Sequence, residues 1–495
     1  MNVSKNALRD VHAVRLWLGW LAALACTLCC LAPRSSRADE EKTYAGASCH
    51  PNVMDMAAGL PGAPDQSGRF SAQAGSIKNI SGGDGTVDCP IVKSVASDGN
   101  LTAVKVFVDF GTVTGTASCT LGVYSSTTQA SGPLPFTTMR STSGQHIQTI
   151  SFPSISGLPM AWGPTWSYYM LTCTLPAGAA IRSYYVNESG TRSDTQKTYA
   201  PAGCTISEYD SCAEVHGDSV LEPNREDNCP IDGQVQLICP VVTDNKSNTG
   251  GLDLELSFVR PGYTQAFVHR GQCTLYNTNA SGTTLFSDTL DLSADPNEAG
   301  GTVRSWLFHV DGGGAFSKYF LQCSMEGLGD ARLISYRTTE HGAGEAVNAD
   351  SKGYPGSLCS TNPYTGITHP DRSVIYVYHG EDGTITNGDS HAVSDVWCPI
   401  IGDHVNTPNG IGAVRVNLLE GGSALDVTSC TVDAYSQTST TPFASTSASV
   451  PASKNGLNYT LPISAVGGGV TAPVYVLHCA LSRGTILRNY EVDEK

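Results

Sequence analysis

No stretch beyond the first forty residues of this chain carries a sustained 3.6-residue apolar period. That lack excludes helical bundles and the alternating strand–helix folds. After residue 32 there is no further apolar stretch long enough to cross a bilayer. Basic side chains are also scarce, 29 Lys and Arg against 45 Asp and Glu, for a net charge of −16. Such a surface repels nucleic acid and anionic membranes, and both are excluded as partners. The catalytic signatures are missing too. There is no His-Glu-x-x-His and no Gly-x-Ser-x-Gly, and after residue 38 no Cys-x-x-Cys. The last absence, with the Cys that recur in all three copies spaced 30–54 residues apart, argues against structural zinc built on thiolates.

The N-terminus reads as a targeting segment. Lys5, Arg9 and Arg15 precede an apolar run from Leu16 to Ala32, and Ser36-Arg37-Ala38 offers small residues at a cleavage site. Residues 1–38 are therefore expected to be a signal peptide. An uncleaved anchor, or a lipid on Cys26, is the rival reading. Removing 1–38 leaves 24 basic and 44 acidic residues, a net charge of −20 with no acidic block.

The rest of the chain repeats itself three times. Each copy opens on Lys42-Thr43-Tyr44, Lys197-Thr198-Tyr199 or Lys352-Gly353-Tyr354, with a Cys five residues after the Tyr. Each continues through Cys89-Pro90, Cys239-Pro240 or Cys398-Pro399, and then through Cys119-Thr120, Cys273-Thr274 or Cys430-Thr431. Next comes Tyr-x-Leu-x-Cys at Tyr169, Tyr319 and Tyr475. The copies close on Tyr184-x-x-x-Glu188, Tyr336-x-x-x-Glu340 and Tyr490-x-x-x-Glu494. From first Lys to last Glu the copies are 147, 144 and 143 residues long, enough for a core each. The expected organisation is three domains on a string, at 39–190, 191–342 and 343–495. The repeated unit resembles that of uncharacterised secreted bacterial proteins, myxobacterium-like ones among them. The resemblance implies export and a β fold, and it lends no catalytic residues.

Of 17 Cys, three leave with residues 1–38. The others are Cys49, Cys89, Cys119 and Cys173 in the first copy, Cys204, Cys212, Cys229, Cys239, Cys273 and Cys323 in the second, and Cys359, Cys398, Cys430 and Cys479 in the third. Even counts at recurring positions are those of intradomain disulfides in an oxidising compartment. Four Cys allow three pairings. First-to-second with third-to-fourth is the favoured one, and Cys212 with Cys229 would close an insertion unique to the second copy. A secreted or cell-surface location follows, with the periplasm as a variant.

Segments such as Val104–Phe110, Leu252–Phe258 and Val414–Leu418 alternate apolar and polar residues, the pattern of half-buried strands. With 52 Gly and 26 Pro punctuating them, each copy reads as an antiparallel β-sandwich. The preferred form is a jelly roll. The fold class is thus all-β, with three tandem disulfide-stapled sandwiches.

Catalysis by a repeated domain would leave a repeated constellation. The recurring polar residues, Lys42, Tyr44, Tyr184 and Glu188 with their counterparts, read as a seam that pins first and last strands through exposed ion pairs. No catalytic residue is assigned, no His recurs at an aligned position, and no cofactor is implied. Gly388-Asp389-Ser390-His391 reads as a turn. The acidic loops Glu381-Asp382-Gly383 and Asp244–Asn248 offer oxygens to Ca²⁺ without the spacing of a calcium loop. Trp162, Trp166 and Tyr168 form an aromatic cluster that would present rings to a sugar. The expected function is non-enzymatic: binding, adhesion or envelope structure, with glycans or envelope components as partners. Carbohydrate binding by the first copy is one alternative, and an extracellular hydrolase with a site between copies is another.

Overall fold

The computed structural model describes residues between 40 and 494. It leaves out 1–39 and a set of connecting segments, of which 52–69, 126–137, 156–166, 224–233, 260–270, 293–302 and 362–376 are the longest. The leader, Cys212, Cys229, Trp162, Trp166 and both acidic loops lie outside the described residues.

The described strands fall into three sets of eleven. In the first repeat these are β1 (Glu40–Ala45), β2 (His50–Pro51), β3 (Phe70–Gln73), β4 (Ser76–Asn79), β5 (Gly85–Ile91) and β6 (Asn100–Asp109), then β7 (Thr116–Ser125), β8 (Thr138–Ser143), β9 (Ile147–Phe152), β10 (Ser167–Leu175) and β11 (Ala180–Ser189). The second repeat runs β12 (Gln196–Tyr199), β13 (Thr205–Ile206), β14 (Ala213–Val215), β15 (Val220–Pro223), β16 (Gln234–Val241) and β17 (Leu252–Val259), then β18 (Gly271–Thr278), β19 (Thr284–Asp291), β20 (Val303–Val310), β21 (Lys318–Glu326) and β22 (Arg332–Glu340). The third runs β23 (Asp350–Pro355), β24 (Ser360–Thr361), β25 (Val377–His379), β26 (Ile385–Asn387), β27 (Ser394–Ile400) and β28 (Ile411–Leu419), then β29 (Ser429–Tyr435), β30 (Ala444–Ser449), β31 (Asn458–Ile463), β32 (Val474–Leu481) and β33 (Ile486–Glu494).

In the first repeat one sheet has the order β3-β4-β11-β6-β9, with β1 also on β11, and the other is β2-β5-β10-β7-β8. Stripped to β4–β11, these are the two interleaved four-stranded sheets of a jelly roll. The other repeats reproduce both orders. All named pairings in the three repeats are antiparallel.

The alternating segments became strands for the expected reason. On β17, Leu252, Leu254, Leu256 and Phe258 are buried while Asp253 and Glu255 look outward. Among the described residues there are six disulfides: Cys49–Cys89, Cys119–Cys173, Cys204–Cys239, Cys273–Cys323, Cys359–Cys398 and Cys430–Cys479. They do not bridge the sandwich. Cys119 stands opposite Cys173 on neighbouring strands, and Cys49 precedes the residue that pairs with Asp88 beside Cys89. Both bonds therefore staple the same sheet, with all four sulfurs buried in the core.

The repeats are not beads on a string. β12 of the second repeat packs on β10 of the first, β23 of the third on β16 and β21 of the second, and β1 of the first on β27 and β32 of the third. Each repeat thus lays its first strand on the preceding one, and the first lays its own on the last, so the three close into a ring. Residues 39–495 form a single compact unit. This explains why β10 and β32 are apolar on both faces. Tyr168 and Met170 alternate with Tyr169 and Leu171, yet all four are buried. At the closing joint, Ala45 of β1 packs with Tyr435, Val474 and Val476 of the third repeat, and Trp397 lies against them. Where the three repeats meet, a cavity of about 40 Å³ is lined by equivalent residues, Pro90, Pro240 and Pro399 with Val92, Val242 and Ile401.

Candidate functional site

Two polar constellations stand out, and they differ in kind. The first is the recurring seam. β1 pairs with β11 so that Tyr44 is opposite Tyr184 and Lys42 opposite Val186. The two Tyr rings stack at 4.6 Å between centroids, 1° from parallel. The same stack recurs as Tyr199–Tyr336 at 4.7 Å and Tyr354–Tyr490 at 4.8 Å. The Tyr184 hydroxyl donates across the sandwich to the Pro90 carbonyl at 2.6 Å, Tyr336 to Pro240 at 2.7 Å and Tyr490 to Pro399 at 2.5 Å. Each Pro is the penultimate residue of its strand. Proline has no N–H to give to the ladder, so it stands at the strand end, where its carbonyl accepts from the Tyr hydroxyl.

The lysines complete the seam. Lys42 Nζ lies 3.1 Å from Glu188 and donates to the Val92 carbonyl at 2.9 Å; Lys352 Nζ lies 2.7 Å from Glu494 and donates to Ile401 at 3.0 Å. Lys197 donates to the Val242 carbonyl at 3.2 Å, and Glu340, the counterpart of Glu188 and Glu494, is likewise buried. Every member is buried, with Lys42 and Lys352 each 2% exposed. The expectation of exposed pairs at this edge is thereby corrected. The preceding repeat in the ring covers the edge, and a long side chain in such a place must hydrogen-bond its charge away. Burial and the stacked partner ring push the Tyr184, Tyr336 and Tyr490 hydroxyls far above their ordinary range. They are therefore fixed donors and not acid–base groups.

The cavity at the junction offers little chemistry. Besides apolar groups and the seam tyrosines Tyr44, Tyr199 and Tyr336, it is lined by Ser48 and His50. Burial lowers the His50 imidazole to about 4, so it stays neutral at ordinary pH.

The second constellation belongs to the middle repeat alone. Asp253 on β17 faces His309 on β20 in the antiparallel register. The His309 backbone N–H points away from β17 and donates to Asp288 at 2.9 Å. That makes 253 and 309 a non-hydrogen-bonded pair, the type that brings side chains closest. His341 follows the last residue of β22, two beyond Thr339, which is the partner of Asp253. Its N–H donates to the Gly251 carbonyl at 2.9 Å. Gly251 has φ +89°, and a Cβ there would strike the Val310 carbonyl, so only glycine lets β17 begin where it does.

The result is a three-residue cluster on the outer face of the sheet. His309 Nδ1 is 2.6 Å from Asp253 Oδ1, and His341 Nε2 is 2.7 Å from Asp253 Oδ2. His309 Nε2 lies 3.6 Å from Asp311 Oδ1. His309 is 55% exposed, His341 41% and Asp253 27%. Partial burial pushes the Asp253 carboxyl up, but the hydrogen bonds from His309 and His341 outweigh it and hold the group below its ordinary range. The hydrogen bond to Asp253 in turn raises the His309 imidazole. Sequence reasoning missed this cluster, because it joins residues 56 and 88 positions apart. The usable signal was Asp253 and His309 on the polar phase of two alternating strands.

Of the sugar-platform residues, Tyr168 lies in β10 with its ring fully buried. It belongs to the core between two repeats and not to an exposed surface. Asn79, in the sequon-like Asn79-Ile80-Ser81, is buried and donates its amide to the Gly83 and Leu175 carbonyls at 2.8 Å each. Asn387 in the third repeat does the same to Leu481 at 2.9 Å, immediately before the Gly388–His391 stretch. Residues 389–391 are outside the described residues. Among the described residues, no helix is long and apolar enough to cross a membrane.

No family model matches the chain. No curated protein matches it either. Among solved structures it is similar to a chain from a study of the triple jelly-roll fold and turret assembly in an archaeal virus, at 13% identity over 82% of each chain and a TM-score of 0.16. It is also similar to the N-terminal CBM22-1–CBM22-2 tandem domain of Xyn10C from Paenibacillus barcinonensis, at 10% identity over 60% of this chain and 93% of that one, TM-score 0.18. A third is dimeric latent PorU from Porphyromonas gingivalis, at 11% identity over 78% of this chain and 33% of that one, TM-score 0.17. At such scores none of them carries an argument. The jelly-roll assignment rests on the strand order of this chain.

Proposed function

We propose that this is a secreted or cell-surface protein without enzymatic activity, a rigid three-lobed block that binds or builds cell-envelope structure. One observation carries the reading: the polar residues that recur in all three repeats are buried and hold the fold together. The repeat is thus a building device and not a reaction centre. The six disulfides support an oxidising compartment, since such bonds persist outside the cytosol. Export and kinship with the secreted bacterial proteins of similar repeat belong to the same proposal. A hydrolase between repeats has less support, because the junction cavity of about 40 Å³ is far below the ~300 Å³ of a substrate pocket. The carbohydrate reading loses Tyr168 and rests on Trp162 and Trp166 alone.

The test uses the disulfide-intact chain from residue 39, incubated with intact bacteria and isolated envelopes. Retention through a salt wash is the expected result. A panel of ester, peptide and glycoside substrates is run in parallel. Turnover that disappears in Ser48→Ala or His50→Gln would overturn the non-enzymatic reading.

A further inference from the structure

We propose that Asp253, His309 and His341 form a binding site for a divalent transition metal, Zn²⁺ being the fitting ion, on the outer face of the middle repeat. Two imidazole nitrogens and one carboxylate are a ligand set that such ions take, with a fourth position left open. The candidate ligand atoms all lie within 4.8 Å of one another. Zn²⁺ bonds nitrogen and oxygen at about 2.0–2.2 Å, so ligands round one ion sit somewhat more than 3 Å apart. The 2.6 and 2.7 Å contacts present here need to open only modestly to admit it.

The surroundings favour a ligand role over a simple hydrogen-bonded trio. If His309 binds through Nδ1, its Nε2 faces the Asp311 carboxylate at 3.6 Å. A carboxylate behind the distal nitrogen is the arrangement that orients metal-bound histidine and raises its basicity. The backbone is fixed at each ligand: Asp288 holds the His309 N–H, and Gly251 holds the His341 N–H. The site is also specific to one repeat. Strand register places Ala103, Pro153 and Ser189 at the corresponding positions of the first repeat, and in the third it places Ala413 and Ser464 where Asp253 and His309 stand. A residue set required by the fold would recur, as the seam does.

Binding replaces protons on the two imidazoles, so metal and proton compete for the same nitrogens. Among the described residues, the charged groups in contact with them are Asp253, Asp288 and Asp311, all acidic. They strengthen both competitors, and affinity is expected to fall as pH drops from 7.5 to 5.5. The open fourth position faces solvent and would hold water or a side chain from another molecule.

The experiment is equilibrium dialysis and calorimetric titration of Zn²⁺ into the metal-stripped, disulfide-intact chain from residue 39, made without a histidine tag. One Zn²⁺ per chain at micromolar or tighter affinity is the expected result. His309→Gln, His341→Gln and Asp253→Asn should each weaken it by about tenfold or more, and Asp311→Asn by about tenfold. Co²⁺ should give the visible d–d bands of a low-coordinate site in the parent and lose them in the three ligand variants. All three side chains are partly exposed, and unchanged near-ultraviolet circular dichroism verifies that the variants fold. Zn²⁺ retention no greater than that of the Asp253→Asn/His309→Gln/His341→Gln variant overturns the proposal. So does binding that appears only at millimolar metal.

Discussion

The seam between the first and last strands of a repeat and the outer face of the middle repeat both use β22 or its equivalents, the seam with β12 and the outer face with β17, and they treat charge in opposite ways. At the seam, Lys42–Glu188 and Lys352–Glu494 are sealed beneath the neighbouring repeat. On the outer face, one residue away in register, Asp253 and two histidines stay wet and keep their lone pairs accessible. What recurs is buried and structural, whereas what is unique is exposed and chemically open. One outward cross-strand position shows how free that face is. Glu255 meets Arg337 in the second repeat, Arg415 meets Glu491 in the third, and Lys105 lies over the Tyr185 ring in the first.

The largest expected effect comes from breaking a buried pair. Lys352→Met strands Glu494 and should cost about 3–5 kcal/mol in denaturant unfolding. Lys352→Met with Glu494→Leu should recover most of that loss, because an apolar pair avoids the desolvation. Failure of the double variant to recover would show that the Ile401 contact, and not the charge pair, dominates. Next, replacing Cys430 and Cys479 with Ala should cost about 2–5 kcal/mol by the same measurement. Tyr490→Phe removes the donor to Pro399 and should cost roughly 1–3 kcal/mol, since a buried carbonyl loses its partner.

The pH response is of similar size. His50 titrates near 6.5 when unfolded and about 4 when folded. Between those values the unfolded chain binds more protons, so stability rises with pH across the window and is lost as acid approaches 4. His50→Asn should flatten that slope by roughly 1–3 kcal/mol, read from unfolding midpoints at pH 4.5 and 7. Smallest of all, His309→Gln in the absence of metal should change stability by no more than about 0.5 kcal/mol. A large loss there would erase the distinction between seam and surface.

The fold of one repeat was legible because period-two patterning is local: Leu252–Phe258 shows its buried face without help from the rest of the chain. Pairing first with second and third with fourth Cys agreed with register, since strands that neighbour in the sheet hold each pair. Ring closure was legible in principle. Tyr168–Leu171 and Val474–Leu477 are continuous apolar runs, the mark of strands covered on both faces, but nothing local says what covers them. The buried state of Lys42 was hidden for the same reason, as exposure is a property of the neighbouring repeat. The histidine cluster was hidden because three ordinary polar residues become a site only through strand register.

Sequence alone determined the all-β class, the three copies and the recurring cysteine pairs, because each depends on spacing and periodicity along the chain. Tertiary structure decided three things: that both disulfides of a repeat lie in one sheet, that the copies share a core, and that Asp253 gathers two histidines. Those outcomes depend on which surfaces meet. Burial and metal-ligand geometry are set by neighbours in space, and sequence order does not specify them.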